Sequence, residues 1–285
     1  MPDAGNVRRV FAFPDFFRTV DAEYPKFFEV GQHALDAMHS VADRRYENPE
    51  PHQRAILNLS MLAGVAFVEV VTLTGNGLGS GAMRILRSLL ETAINIEFFR
   101  LRPEAFEDYK EWYHVERFKE FEFLRQHAAD AFALLDPQAV TNAEREMTRV
   151  RPRFEQPRYG GAARLRGSWS SLDLGARAVA TDFANSYRLI NPLASSFVHE
   201  TMYGMLRHFD AARDENRIEV PPTLRWSKEA LSGAHHVMVK VVESLGRTFD
   251  VAPEPTVETL VKEWQYAWPP PQENQQAREP EQPAQ

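Results

Sequence analysis

Apolar positions along this chain recur at three and four residues nearly throughout and alternate at two almost nowhere, a pattern that predicts helices rather than strands. From Pro25 to Tyr46 the apolar series Phe27, Phe28, Ala34, Leu35, Met38, Val41 marks one helix, closed by Asn48-Pro49. A second spans about Pro51 to Thr74. A glycine-rich break, Gly75-Asn76-Gly77-Leu78-Gly79-Ser80-Gly81, separates it from a third that stops near Leu101. Pro103 suits the first turn of a long aromatic-rich helix reaching about Leu135, and a shorter one follows Asp136-Pro137 to about Arg151. Ser168 to Ser171 reads as a capping segment for a short helix to Ala180, and Thr181 to Leu189 forms the next. Asn191-Pro192 supplies an N-cap and first-turn pair for a helix that carries His199 in its middle. Ser227 is expected to cap a helix through Leu245, and a last short helix spans Thr256 to Trp268. The remaining Pro, Gln and Glu residues offer no apolar anchor, so the tail is expected to be disordered. The expected fold is all-α, a multi-helix bundle with an N-terminal arm (1–22), one helical domain (23–268) and a disordered C-terminal tail (269–285).

Composition narrows the chemistry. In 285 residues, 44% hydrophobic and 26% charged, there is enough apolar material for a large core. The absence of cysteine excludes disulfides, thiolate metal sites and thiol nucleophiles. The first residues, MPDAGNVRRVFAF, lack a signal-peptide pattern, and the cytoplasm is the expected compartment. Ala55 to Leu73 is about long enough to span a membrane but contains Asn58, Ser60 and Glu69, and is read as a buried core helix. A net charge of −7 gives no whole-molecule attraction to nucleic acid or an anionic membrane, so no membrane partner is expected. Locally the sign reverses. Seven arginines between Arg145 and Arg166 face only Glu146 and Glu155, a loop that could hold RNA or pair with this acidic protein's own surface.

The candidate site lies in residues 83–98, MRILRSLLETAINIEF. Arg84, Arg87, Glu91 and Asn95 fall along one helical stripe, flanked by Leu86, Leu89, Leu90, Ala93 and Ile94. If protein lines that stripe on both sides, its charges need partners. A second constellation centres on His199, with Ser195 four residues before it and Tyr203 four after, and with Tyr187 preceding them. Such a face could position a general base, while the alternative is an interior histidine bonded to Glu69 or Glu91.

Other motifs carry less. The glycine run lacks the preceding strand and following Lys-Ser/Thr pair of a phosphate loop, and reads as a helix C-cap plus N-cap. Glu111-Trp112-Tyr113-His114 has the Glu-x-x-His spacing of a di-iron ligand pair, but that architecture needs two copies, so no metal and no cofactor are expected. Arg45 through His52 fits an Arg-x(4–6)-His spacing. With 27 arginines and 9 histidines, however, chance supplies about two such matches.

Arg87-Ser-Leu-Leu-Glu91, Pro103 through Tyr109, Lys119, Tyr187 and Ser195-Ser-Phe-Val-His199 together resemble a bacterial family known as domain of unknown function 5677, over about residues 50–210. The resemblance implies an all-helical domain whose Arg-Glu and Ser-x-x-x-His segments belong together. A remoter similarity to HEPN-like helical bundles is an analogy of fold. Two functional expectations follow. One is a module that binds a small ligand or protein partner through Arg87, Glu91 and His199, in defence or signalling, with self-association open. The other is a HEPN-like, metal-independent endoribonuclease, with His199 as acid/base and Arg87 or Arg84 on the phosphate.

Overall fold

Polar side chains cap the starts of three helices among the described residues. Asp136 accepts a hydrogen bond from the Gln138 amide with Pro137 in the first turn, Asp173 from Ala176 at 2.7 Å, and Thr256 from Thr259. The computed structural model describes residues 13–158, 161–199 and 222–269. Among the described residues the order is α1 (Pro14–Glu23), α2 (Phe27–Ala42), α3 (Pro51–Gly75), α4 (Gly79–Leu101), α5 (Ala105–His127), α6 (Ala129–Ala133), α7 (Pro137–Phe154), β1 (Glu155–Arg158), β2 (Gly161–Leu165), α8 (Leu174–Ala180), α9 (Ala184–Val198), α10 (Ser227–Phe249) and α11 (Val257–Ala267). The protein is all-α apart from one antiparallel hairpin, β1–β2, in which Glu155 pairs with Leu165. Tyr203, residues 270–285 of the expected disordered tail and most of the expected N-terminal arm lie outside the described residues.

The chain divides into two compact units. The larger comprises 1–46, 57–93 and 186–285. Its spine is α10, which packs on α2 and α11 and buries Leu231, Ala234, Val237, Met238, Val241, Val242 and Leu245. Phe27, Met38, Phe67, Met83, Leu86, Leu89 and Leu90 complete that core. The smaller unit holds 47–56 and 94–185. There α5 packs on α7, and Trp112 meets Phe154 edge-on at 5.1 Å. Trp169 sits against Phe98, Phe99 and Tyr109, with ring centres 5.4 to 5.9 Å apart.

Several local expectations change. The arm contains α1, and the long helix after Pro103 breaks at Ala128 into α5 and α6. Asn191-Pro192 does not open a helix. Pro192 lies exposed inside α9, where a missing N–H costs one ladder bond and the solvent side tolerates the ring. His199 therefore stands just past the end of α9 and not in mid-helix. Ser227 does not cap α10 with its side chain. It is buried as the first helical residue, and Trp226 enters with φ of 64°. The span around α3 is half buried, one face packing inward and the other in solvent. Most of the arginine segment is no loop, since Arg145 to Arg153 belong to α7 and Arg158 and Arg164 to the hairpin, with Arg166 just past it.

The glycine run has the structural role the sequence suggested, and tertiary contact sharpens it. Gly77 has φ of +72°, and a Cβ there would lie 2.5 Å from Pro222 Cα. A Cβ on Gly79 would lie 2.1 Å from the Arg225 carbonyl oxygen. The break thus lets the chain at 222–225 lie directly against it, with the Thr223 amide donating to the Gly77 carbonyl.

Candidate functional site on α4 and α9

Apolar packing brings α4 and α9 together. Leu86 of α4 and Ile190 of α9 both approach Gly233 of α10, where an added Cβ would come within 2.8 Å of Leu86 and 3.8 Å of Ile190. With that face buried, the polar stripe of α4 is turned elsewhere. Arg84 is exposed, and its Nε donates to the Phe197 main-chain carbonyl at 2.7 Å. Phe197 lies in the last turn of α9, so this bond ties α4 to that end of the helix.

One turn along α4, Arg87 is half-buried, and its Nε is shielded from water with no hydrogen-bond partner among the described residues. Glu91 is half-buried too, but no ion pair joins it to Arg87 among the described residues. The mutual neutralisation expected of a fully enclosed stripe is absent because the stripe is only partly enclosed. Asn95 departs from the group. It is buried in the smaller unit and accepts from Arg177 Nη1.

On α9, Ser195 Oγ donates to Asn191 Oδ1 at 3.3 Å, Tyr187 is half-buried, and His199 is exposed. Exposure of His199 is at odds with an interior histidine bonded to Glu69 or Glu91, and Glu69 is itself exposed on α3. The structure thus brings Arg84 to the end of α9 that carries His199, with Arg87 one turn away. Asn95 is bound instead by Arg177 in the smaller unit, and Glu69 is exposed on α3.

Sequence reasoning missed two polar features of the larger unit. His235 is wholly buried on α10 with neither ring nitrogen hydrogen-bonded among the described residues, and burial, helped by neighbouring His236, lowers its pKa to about 4. His236 shares a hydrogen bond of 2.9 Å with Ser186 Oγ, and its pKa is also lowered, mainly by burial and then by Lys240. Its ring stands 5.3 Å from that of Trp264, beside a cleft of about 290 Å³ lined also by Val239, Val257, Val261, Lys240 and Glu243. The signal was a His-His pair inside an otherwise apolar helical run.

The arginine-rich segment is largely paired with the protein's own carboxylates. Arg149 bonds Glu111 and Glu146, Arg151 bonds Glu155 at 2.7 Å, and Arg153 bonds Asp108. Arg166 is buried over the Phe154 ring at 5.0 Å and donates to the Arg153 carbonyl. Glu111, half of the Glu-x-x-His motif, is thus engaged by an arginine. No cluster of three or more His, Asp or Glu side chains suited to a metal occurs among the described residues.

A helical protein in which Arg84 of α4 bonds the end of α9 is the class this geometry defines. The chain belongs to a family of unknown function, DUF5677, whose model matches residues 53–217 and so includes α4 and α9. No match was found among curated proteins or among solved structures.

Proposed function

We propose that this protein is a binding module that receives an anionic group, carboxylate or phosphate, from a small ligand or a protein partner at the α4/α9 stripe. One observation carries the reading: Arg87 Nε is shielded from water and has no hydrogen-bond partner among the described residues. A buried donor left unmade costs about 1–3 kcal/mol, and in native proteins such a group commonly marks the place of an ion, water or ligand. The guanidinium fork suits a carboxylate or phosphate, and Arg84 one turn away adds a second positive charge. Half-buried Glu91 disfavours a highly charged anion.

Thermal denaturation with inorganic phosphate and with acetate tests this. A site-bound anion at about 100 times its Kd stabilises by roughly 2.7 kcal/mol, and Arg87→Met should abolish the shift. An equal response of wild type and Arg87→Met reflects general salt effects and removes the site.

A second reading has its own support. Arg84 bonds the Phe197 carbonyl two residues before exposed His199, so an arginine and an accessible histidine share one end of α9. That pair fits a metal-independent endoribonuclease, in which the histidine moves the 2′-hydroxyl proton and the arginine steadies the phosphate. Total RNA incubated in EDTA should then be cleaved by the wild type and not by His199→Ala. Cleavage that persists in the variant takes His199 out of the chemistry.

A further inference from the structure

The most apolar helix among the described residues shows solvent a face that is itself largely apolar. Along α3, Asn58, Met61, Leu62, Val65, Val68, Glu69 and Thr72 are all exposed, and the four large apolar side chains retain 40%, 60%, 56% and 48% of their surface. The opposite face, with Ala63, Phe67 and Val70, is buried in the larger unit. Scattered exposed apolar residues are ordinary, but a contiguous stripe marks an interaction site. Positions 58, 61, 65, 68 and 72 are spaced three and four apart in alternation, the repeat by which one helix seats on another.

We propose that this stripe joins two copies of the chain, α3 crossing α3 about a two-fold axis near Val65. The sequence of the stripe argues for self-association. Seven residues to either side of Val65 stand Asn58 and Thr72, both uncharged and able to hydrogen-bond, and the apolar residues lie between. Turned end for end, the stripe sets Asn58 against Thr72, Leu62 against Val68 and Val65 against itself, as an isologous contact requires, with Met61 level with Glu69. Its single charge is the acidic Glu69, within the stripe, so it has no basic residue to attract an anionic lipid surface or an acidic partner.

Light scattering on the purified chain should give twice the 32.7 kDa of the protomer. Val65→Glu should return it to the protomer mass with unchanged helical circular dichroism, because this position is exposed in the folded chain. The chain has no cysteine, which allows a register test. A residue on the axis meets its own copy within the roughly 7 Å Cα separation a disulfide tolerates. Two Asn58 residues, each seven residues from the axis in opposite directions, stand about 20 Å apart. Oxidised Val65→Cys should therefore cross-link and Asn58→Cys should not. A protomer mass at every concentration, a dimer that survives Val65→Glu, equal cross-linking of both cysteine variants, or a monomer that binds neutral or anionic vesicles would each overturn the proposal.

Discussion

The guanidinium carbon of Arg177 lies 4.7 Å from the centre of the Trp169 ring, and both side chains are buried in the smaller unit. Arg177 also donates to Asn95, so an aromatic face and an amide oxygen take the place of water around a desolvated cation. Arg177→Ala should destabilise the protein by about 3 kcal/mol or more, and Arg177→Lys should recover little, since an ammonium reproduces neither the stacking nor the fork. Urea denaturation measures both. A loss under about 1 kcal/mol for the alanine variant would contradict the structural role.

His235 makes stability depend on pH. Its folded pKa of about 4 lies below the ordinary value of 6.5, so at lower pH the unfolded chain takes up the proton first. The contribution is intact above about pH 6.5 and is lost as pH falls toward 4, a swing of roughly 3 kcal/mol. His235→Leu should flatten that limb, and at neutral pH it should be neutral to stabilising because two unpaired ring nitrogens disappear. Denaturation midpoints of both proteins across pH 4–8 check the sign.

Two glycines of α4 should respond oppositely to alanine. Gly79→Ala drives a methyl into the Arg225 carbonyl and should cost about 1–3 kcal/mol. Gly81→Ala meets only Leu73 at 3.7 Å, an ordinary contact, and should stabilise by about 0.5–1 kcal/mol through helix propensity. If thermal melts show both variants stabilised, the close approach of residue 225 is wrong.

Glu91→Ala should be mild. A half-buried carboxylate with no ion pair to Arg87 loses little on truncation, and the expected change is below about 1 kcal/mol. A loss near 3 kcal/mol in chemical denaturation would mean that Glu91 compensates a buried charge.

Helix existence was legible because periodicity and capping act within a few residues of chain. The α3 and α4 segments, the Asp136-Pro137 start of α7 and the Thr256 cap of α11 all appear where local pattern puts them. The same reasoning failed at Asn191-Pro192, where a locally favourable start lies inside α9, and at Ser227, where burial overrides capping. It also missed the hairpin, whose pairing depends on partners across a turn.

The sequence by itself determined the all-helical class, the family pattern and the polar stripe, since each depends on residue types at fixed local spacing. Tertiary structure alone decided which members of the stripe meet. Asn95 shares the helical face of Arg87, yet it is bound by Arg177, 82 positions further along the chain, while Arg84 finds a carbonyl 113 positions away. Spacing along a helix tells which side chains point the same way. What stands opposite them, and whether water is excluded there, depends on how distant segments pack, and that determines which polar group is left without a partner.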